Sequence, residues 1–184
     1  GICIPFSTSK KPHYWTEEEE LNIRQMLRMF LTHPNCGFKE RQGQFGQNYW
    51  YDMQHFWRWL GIKTQPSHDS MILHHTMFAG LEKKLSFISS MYAKNYKYWK
   101  DDGKLAKGKT DEERWIYNLR DCCYTFEVTV KMLRMLGTSP KNIQNAYSTQ
   151  INKTLPLIIK MMERGVKQNK ELRTKYYWEF RDIQ

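Results

Sequence analysis

Two short segments carry residues whose types and spacing could do chemistry: Asn48-Tyr49-Trp50-Tyr51-Asp52, and further along Tyr117-Asn118-Leu119-Arg120-Asp121. Each offers a carboxylate, the hard oxygen donor that Mg²⁺ or Mn²⁺ prefers. Hydrolysis of a phosphodiester at neutral pH needs a hydroxide-like nucleophile and charge relief on the attacking and leaving oxygens. Two divalent ions roughly 4 Å apart supply both. Asp52 and Asp121 are therefore the candidate metal ligands. Tyr117 stands four residues before Asp121, so on a helix its phenol shares the carboxylate's face and is placed to orient a metal-bound water. Each pattern alone also fits a plain structural use, an asparagine cap with a first-turn acid and a helix-surface Tyr–Asp pair.

Such residues need elements to aim them. Gly43-Gln44-Phe45-Gly46-Gln47 is short and glycine-bounded and reads as a buried strand. The aromatic amphipathic run from Tyr51 to Leu60 reads as the helix it feeds, closed by Gly61, so Asp52 projects over the strand's end. Tyr117 and Asp121 fall on the clearest helix, which opens on a Thr110–Glu113 capping box, carries Trp115, Leu119, Cys122, Phe126, Val130 and Leu133 at intervals of three or four, and ends at Gly137. Around these, residues 2–6 read as a strand stopped by the turn cluster Ser7 to Pro12. Thr16 with Glu19 caps a helix to about Leu31 whose apolar stripe is Leu21, Met26, Met29 and Phe30. Residues 69–92 read as two helical pieces broken near Ala79-Gly80. Ser139-Pro140 restarts helix with proline at its first position, Leu155 to Met162 is strongly apolar, and a basic amphipathic helix follows Gly165.

Lysine and arginine number 29 against 19 acids, a net charge of +10 that favours a polyanionic partner. Residues 93–109 read as an exposed loop, and there and just before it Tyr92, Tyr96, Tyr98 and Trp99 interleave with Lys94, Lys97, Lys100, Lys104, Lys107 and Lys109. Aromatic faces stack unpaired bases at about 1–3 kcal/mol each while ammonium groups neutralise phosphates, which makes Tyr96, Trp99 and Lys100 candidate contacts to single-stranded DNA. The competing reading is a solvated loop whose aromatics anchor it to the core. Asp69 reads as a cap or a supporting group more than a metal ligand. The adjacent His74 and His75 cannot turn both rings to one zinc, and the four cysteines form no C-x-x-C pair. No run approaches the ~20 apolar residues of a membrane span, and residues 1–6 lack a secretory signal pattern, so a soluble, cytoplasmic protein is expected.

The two motifs, Asn-x-x-Tyr-Asp and then Tyr-x-x-x-Asp, resemble the second and third signatures of the 3'-5' proofreading exonucleases that accompany DNA polymerases. Gly46 to Asp52, His68 to His75, Leu81 to Ile88, Tyr98 to Lys104 and Trp115 to Thr125 are similar, in that order, to the exonuclease domains of phage-type family A polymerases. Pro156 to Val166 is similar to the passage into their polymerase region. The resemblance implies a helix-rich α/β fold of the RNase H-like, DnaQ-like kind, truncated at its first strand. Residues 1–150 would be the exonuclease domain, incomplete at its N-terminus, and 151–184 the helical start of the polymerase region. It further implies Asp52 and Asp121 as ligands of a two-metal Mg²⁺ or Mn²⁺ site, Tyr117 as the water-orienting phenol and Asn48 as a residue shaping the site beside the primer terminus. The implied partners are single-stranded 3' ends of primer–template DNA and the remainder of a polymerase chain, in the cytoplasm of a phage's host. Three departures stand out. Glu82 replaces the usual proline, Gln168-Asn169 replace a Val-Asp, and no Asp-x-Glu lies on an opening strand, where the family's first motif holds both ions. Weak or absent activity in these 184 residues is the expectation, with a catalytically inactive exonuclease-like structural or DNA-binding module as the alternative.

Overall fold

The computed structural model describes residues 1–33, 38–39, 42–63, 67–100 and 110–181. Among these the chain is helix-rich, with two small sheets: α1 (Glu17–Thr32), β1 (Phe38–Lys39), β2 (Gln42–Gly43), β3 (Phe45–Gly46), α2 (Tyr49–Leu60), β4 (His68–Asp69), α3 (Ser70–Met77), α4 (Leu85–Tyr92), α5 (Asp111–Thr138), α6 (Lys141–Thr149), a π-helical turn (Gln150–Thr154), α7 (Leu155–Arg164) and α8 (Lys170–Arg181). β1 and β2 pair antiparallel, whereas β3 and β4 pair in parallel with Phe45 opposite His68 and Gly46 opposite Asp69. The expected helix-rich α/β character is present, and the strand before Asp52 is reduced to two residues. A side chain at Gly46 would collide with Tyr49, since a Cβ there would lie 2.3 Å from the Tyr49 ring, so the strand-to-helix turn at this point requires glycine.

α5 is the longest helix, and α3, α4 and β3 pack along it. Its most buried face is Thr125, Val128, Thr129, Met132 and Leu136, not the expected stripe through Cys122 and Phe126, which are exposed. Threonine is tolerated inside because its hydroxyl is satisfied locally: Thr129 Oγ1 donates to the Thr125 carbonyl at 2.6 Å. Leu73, Ile88, Val128, Met132, Tyr147 and Ile151 share one core, which continues to Leu155. The segment 151–184 thus enters the common core at its start, whereas α8 buries nothing. Pro156 sits at the second position of α7. Its ring and missing N–H cannot be fitted into a regular α-helical ladder, and the wider π turn immediately before it accommodates both.

Three further expectations are corrected. Residues 2–6 form no strand: the segment folds back, with Trp15 Nε1 donating to the Pro5 carbonyl and the Tyr14 N–H to the Phe6 carbonyl, so these two carbonyls are bonded to the turn that follows and not to a neighbouring strand. α1 has its Thr16–Glu19 capping box, but Leu21, Met26, Met29 and Phe30 all face solvent, Met29 at 72% exposure. α5 runs through Gly137 to Thr138 and stops at Ser139, whose extended backbone is what a residue before proline favours; Pro140 is itself the cap of α6.

One side chain joins two of these helix starts. Asp69 is fully buried, and its Oδ1 accepts the α3 N–H groups of Met71 at 2.8 Å and Ile72 at 3.2 Å. The same carboxylate accepts the N–H groups of Tyr49 at 2.7 Å and Asn48 at 3.3 Å, at the start of α2. Four donors that no helix can satisfy internally thus converge on one anion at the positive ends of two helix dipoles. Replacing Asp69 with alanine is expected to cost about 2–4 kcal/mol, the sum of two ordinary caps. Asp69→Ser should recover roughly half, because its short hydroxyl reaches only its own helix. Urea unfolding measures both; a loss no larger than that of one exposed cap would show that only one helix start depends on this residue.

Candidate functional site

β3 and Gly46 deliver the chain to Asn48, which adopts the left-handed backbone conformation (φ 58°, ψ 44°) that asparagine tolerates better than most residues. Its side chain makes no capping bond; its N–H, held by Asp69, takes that part. The helix then begins two residues earlier than its apolar pattern indicates and places Asp52 in its first turn, as expected. Asp52 is exposed as a residue, yet enough protein surrounds its carboxyl for burial to raise its pKa above the ordinary carboxylate value. Nearby His55 opposes that rise and the Asp69 charge adds to it. A cleft of about 440 Å³ opens one turn beyond, lined by Phe6, Pro12, His55, Phe56, Trp59 and Leu60.

Tyr117 and Asp121 lie one turn apart on α5 and converge on a single cation, the Lys100 ammonium. Lys100 Nζ donates to Asp121 Oδ1 at 2.7 Å, to Oδ2 at 2.8 Å and to the Tyr117 hydroxyl at 2.9 Å. Trp99 Nε1 adds a bond to Asp121 Oδ1 at 2.6 Å. The ammonium also sits over the Tyr117 ring, 4.8 Å from its centroid, and 5.1 Å from that of Trp99. Burial pulls the Lys100 pKa down, but the hydrogen bonds to Asp121 and Tyr117 and the Asp121 charge together outweigh it, leaving it above the usual lysine value.

Beside Asp121 on α5, burial above all raises the Cys122 thiol pKa, and the charges of Asp121 and Asp52, with Cys123 and Cys3, push the same way. The N-terminal segment also crosses here: a Cβ on Gly1 would come within 2.8 Å of Leu119, which lies between Tyr117 and Asp121. The donors suit Mg²⁺ or Mn²⁺ chemically, but their arrangement does not. Both Asp121 oxygens are engaged by nitrogen donors, and among the described residues no three His, Cys, Asp or Glu side chains gather as a metal would need.

Of the candidate DNA contacts, Trp99 requires correction. It is 1% exposed and stacks on Tyr124 at 4.3 Å, so its faces are occupied by protein and not open to a base. Tyr96 is half-buried against the same pair. Tyr98 is the half-exposed aromatic of the segment, flanked by Lys94 and Lys97. Lys104, Lys107 and Lys109, the rest of the basic run, lie outside the described residues. Sequence reasoning missed Lys100 as a partner of Asp121 and Tyr147 as a partner of Asp69. The Tyr147 hydroxyl accepts the Asp69 N–H at 3.4 Å and lies 3.2 Å from His68 Nδ1, and its ring stacks on His68. Neither partnership leaves a local spacing signal, since the pairs lie far apart in the chain. Among the described residues no helix is long and apolar enough to cross a membrane. No family model, no curated protein and no solved structure matches this chain.

Burial lowers the pKa of His68 and, as the largest of several causes, that of His74. Both bind a proton less readily in the fold than in the unfolded chain, whose histidines titrate near pH 6.5, so proton uptake favours unfolding as pH falls through that range. The melting temperature should therefore decline from pH 7.5 to 5.5, and a His68→Gln/His74→Gln variant should show a flatter profile. An unchanged slope in that variant would contradict the assignment.

Proposed function

We propose that this chain is part of a metal-dependent 3'-5' exonuclease of the proofreading type, with an RNase H-like core, acting on the 3' ends of single-stranded DNA and impaired in these 184 residues alone. The observation that carries the reading is the convergence of the Tyr117 hydroxyl and the Asp121 carboxylate on one cationic point, 2.7–2.9 Å from each. With the ammonium in that place the pair holds no metal; were a divalent ion to take it, Asp121 would bind the ion and Tyr117 would orient its water for in-line attack on a phosphodiester. Asp52 lies in the first turn of α2, just after the parallel strand pair. Mg²⁺ or Mn²⁺ would be the metal, with Asp52 and Asp121 as ligands from this chain. Residues 1–150 form the exonuclease part in this reading, and 151–184 lead into the remainder of a polymerase chain. Lys94, Lys97 and Tyr98 supply charge and a stacking face toward the strand.

A second reading is an exonuclease-like module that binds DNA without catalysis, and the closed Lys100–Asp121 pair favours it. The two differ in what they need from the carboxylates. Incubated at high protein concentration with 5'-labelled single-stranded DNA and Mn²⁺, the chain should shorten the strand slowly, one nucleotide at a time from the 3' end. Asp52→Asn and Asp121→Asn should each abolish this. Cleavage that survives both substitutions would overturn the reading, and binding with no cleavage would favour the second. In either case Lys94→Glu/Lys97→Glu should weaken binding of a single-stranded oligonucleotide roughly tenfold at low salt, as measured by fluorescence anisotropy.

A further inference from the structure

The cleft of about 440 Å³ beside α2 uses none of the residues assigned a role above. Three segments wall it: the fold-back that carries Phe6 and His13, the face of α1 with Glu20 and Arg24, and the second half of α2 with Phe56 and Trp59. Each wall is fixed. Trp15 and Tyr14 pin the fold-back through the Pro5 and Phe6 carbonyls, and Arg24 clamps α1 to α2, its Nη1 donating to the Trp59 carbonyl at 2.6 Å. The same guanidinium lies over the Phe6 ring, 5.9 Å from its centroid. The cleft is therefore preformed, and its volume suits a small organic molecule.

Its lining decides which kind. The walls are mostly apolar, and the Trp59 side chain is 65% exposed, so a flat ring can stack on the indole. At the polar end a carboxylate and a guanidinium stand side by side: Glu20 Oε1 accepts from Arg24 Nε at 2.9 Å and from Arg24 Nη2. Neither group is used up. Glu20 Oε2 accepts no hydrogen bond among the described residues, and His13 Nδ1, 3.9 Å from it, stands beyond hydrogen-bonding range. Of the five N–H donors of a guanidinium, three are engaged in Arg24, whose side chain is one-third exposed. The ion pair cancels its own charge, so a neutral ligand fits. That ligand is a planar heterocycle whose edge sets N–H donors for the carboxylate beside a carbonyl for the guanidinium.

We propose that this cleft binds guanine, carried by a free nucleoside or by a single strand. Guanine offers N1–H and its 2-amino group to Glu20 and O6 to Arg24, while its fused rings reach Trp59. Adenine turns an unprotonated N1 toward the carboxylate and is disfavoured. The site needs no metal and stands whether or not the chain cuts DNA.

Equilibrium dialysis against tritiated nucleosides tests this on the wild-type chain. Guanosine should bind saturably, adenosine on the order of tenfold more weakly, and inosine, which lacks the 2-amino group, in between. Trp59→Ala, which removes an exposed side chain, should weaken guanosine about tenfold. Glu20→Gln should bring guanosine down to the level of adenosine. Because Glu20 also holds Arg24, that variant's fold is checked by circular dichroism, and the nucleoside series on the wild type decides even if it fails to fold. An oligo-dT strand carrying one dG should displace guanosine more tightly than free guanosine does if the base is read within a strand, and no better than plain oligo-dT if the free nucleoside is the ligand. Guanosine bound no better than adenosine, guanosine bound equally by Trp59→Ala, or no saturable binding overturns the proposal.

Discussion

A carboxylate taken wholly out of water is costly unless its charge is met at once, and among the described residues the hydrogen-bond donors that meet the Asp69 carboxylate are backbone N–H groups. Burial still pushes its pKa upward, against the pull of the N–H groups of Tyr49, Ile72, Asn48 and Met71. The result is a junction that neither helix could form separately. The start of α2 and the start of α3 are positioned against each other because both spend their orphan donors on the same two oxygens. The parallel pairing of β3 with β4 and the Ser70 hydroxyl, which donates to the Gly46 carbonyl at 3.1 Å, tie the same point a second time.

The candidate site is downstream of that junction. Asp52 lies one turn beyond the anchored N–H groups, and the Asp69 charge is near enough to raise its pKa. β3 rests on α5, with Phe45 stacked on Phe126, which brings the α2 start to the helix that carries Tyr117 and Asp121. The site thus has a rigid half, built on buried hydrogen bonds, and a half closed by a lysine that is partly exposed.

Much of this was legible in the residues. Both capping boxes, the glycine that closes α2, the break between α3 and α4 and the placement of Asp52 and Asp121 follow from local rules, because caps, turns and helical faces are decided within a few residues. What was not legible depends on contacts distant in sequence. The stripe of α1 looks like a core face, but no described element covers it. Trp99 looks like a stacking platform in a basic loop, and only the fold shows that Tyr124 already occupies its face. Lys100 reads as one phosphate-binding lysine among several until α5 brings Asp121 beneath it. The buried face of α5 was misread because threonine counts as polar in a pattern, although its hydroxyl can be satisfied by its own helix.

The central claim, that one buried carboxylate orders two helix starts and through them the candidate site, has a direct test in amide hydrogen exchange. In the wild-type protein the N–H groups of Asn48, Tyr49, Met71 and Ile72 should be protected, although none has a partner within its own helix. In Asp69→Asn all four should lose protection together. Continued protection of Asn48 and Tyr49 alongside loss at Met71 and Ile72 would mean that Asp69 caps a single helix, and that α2 is held in place by something else.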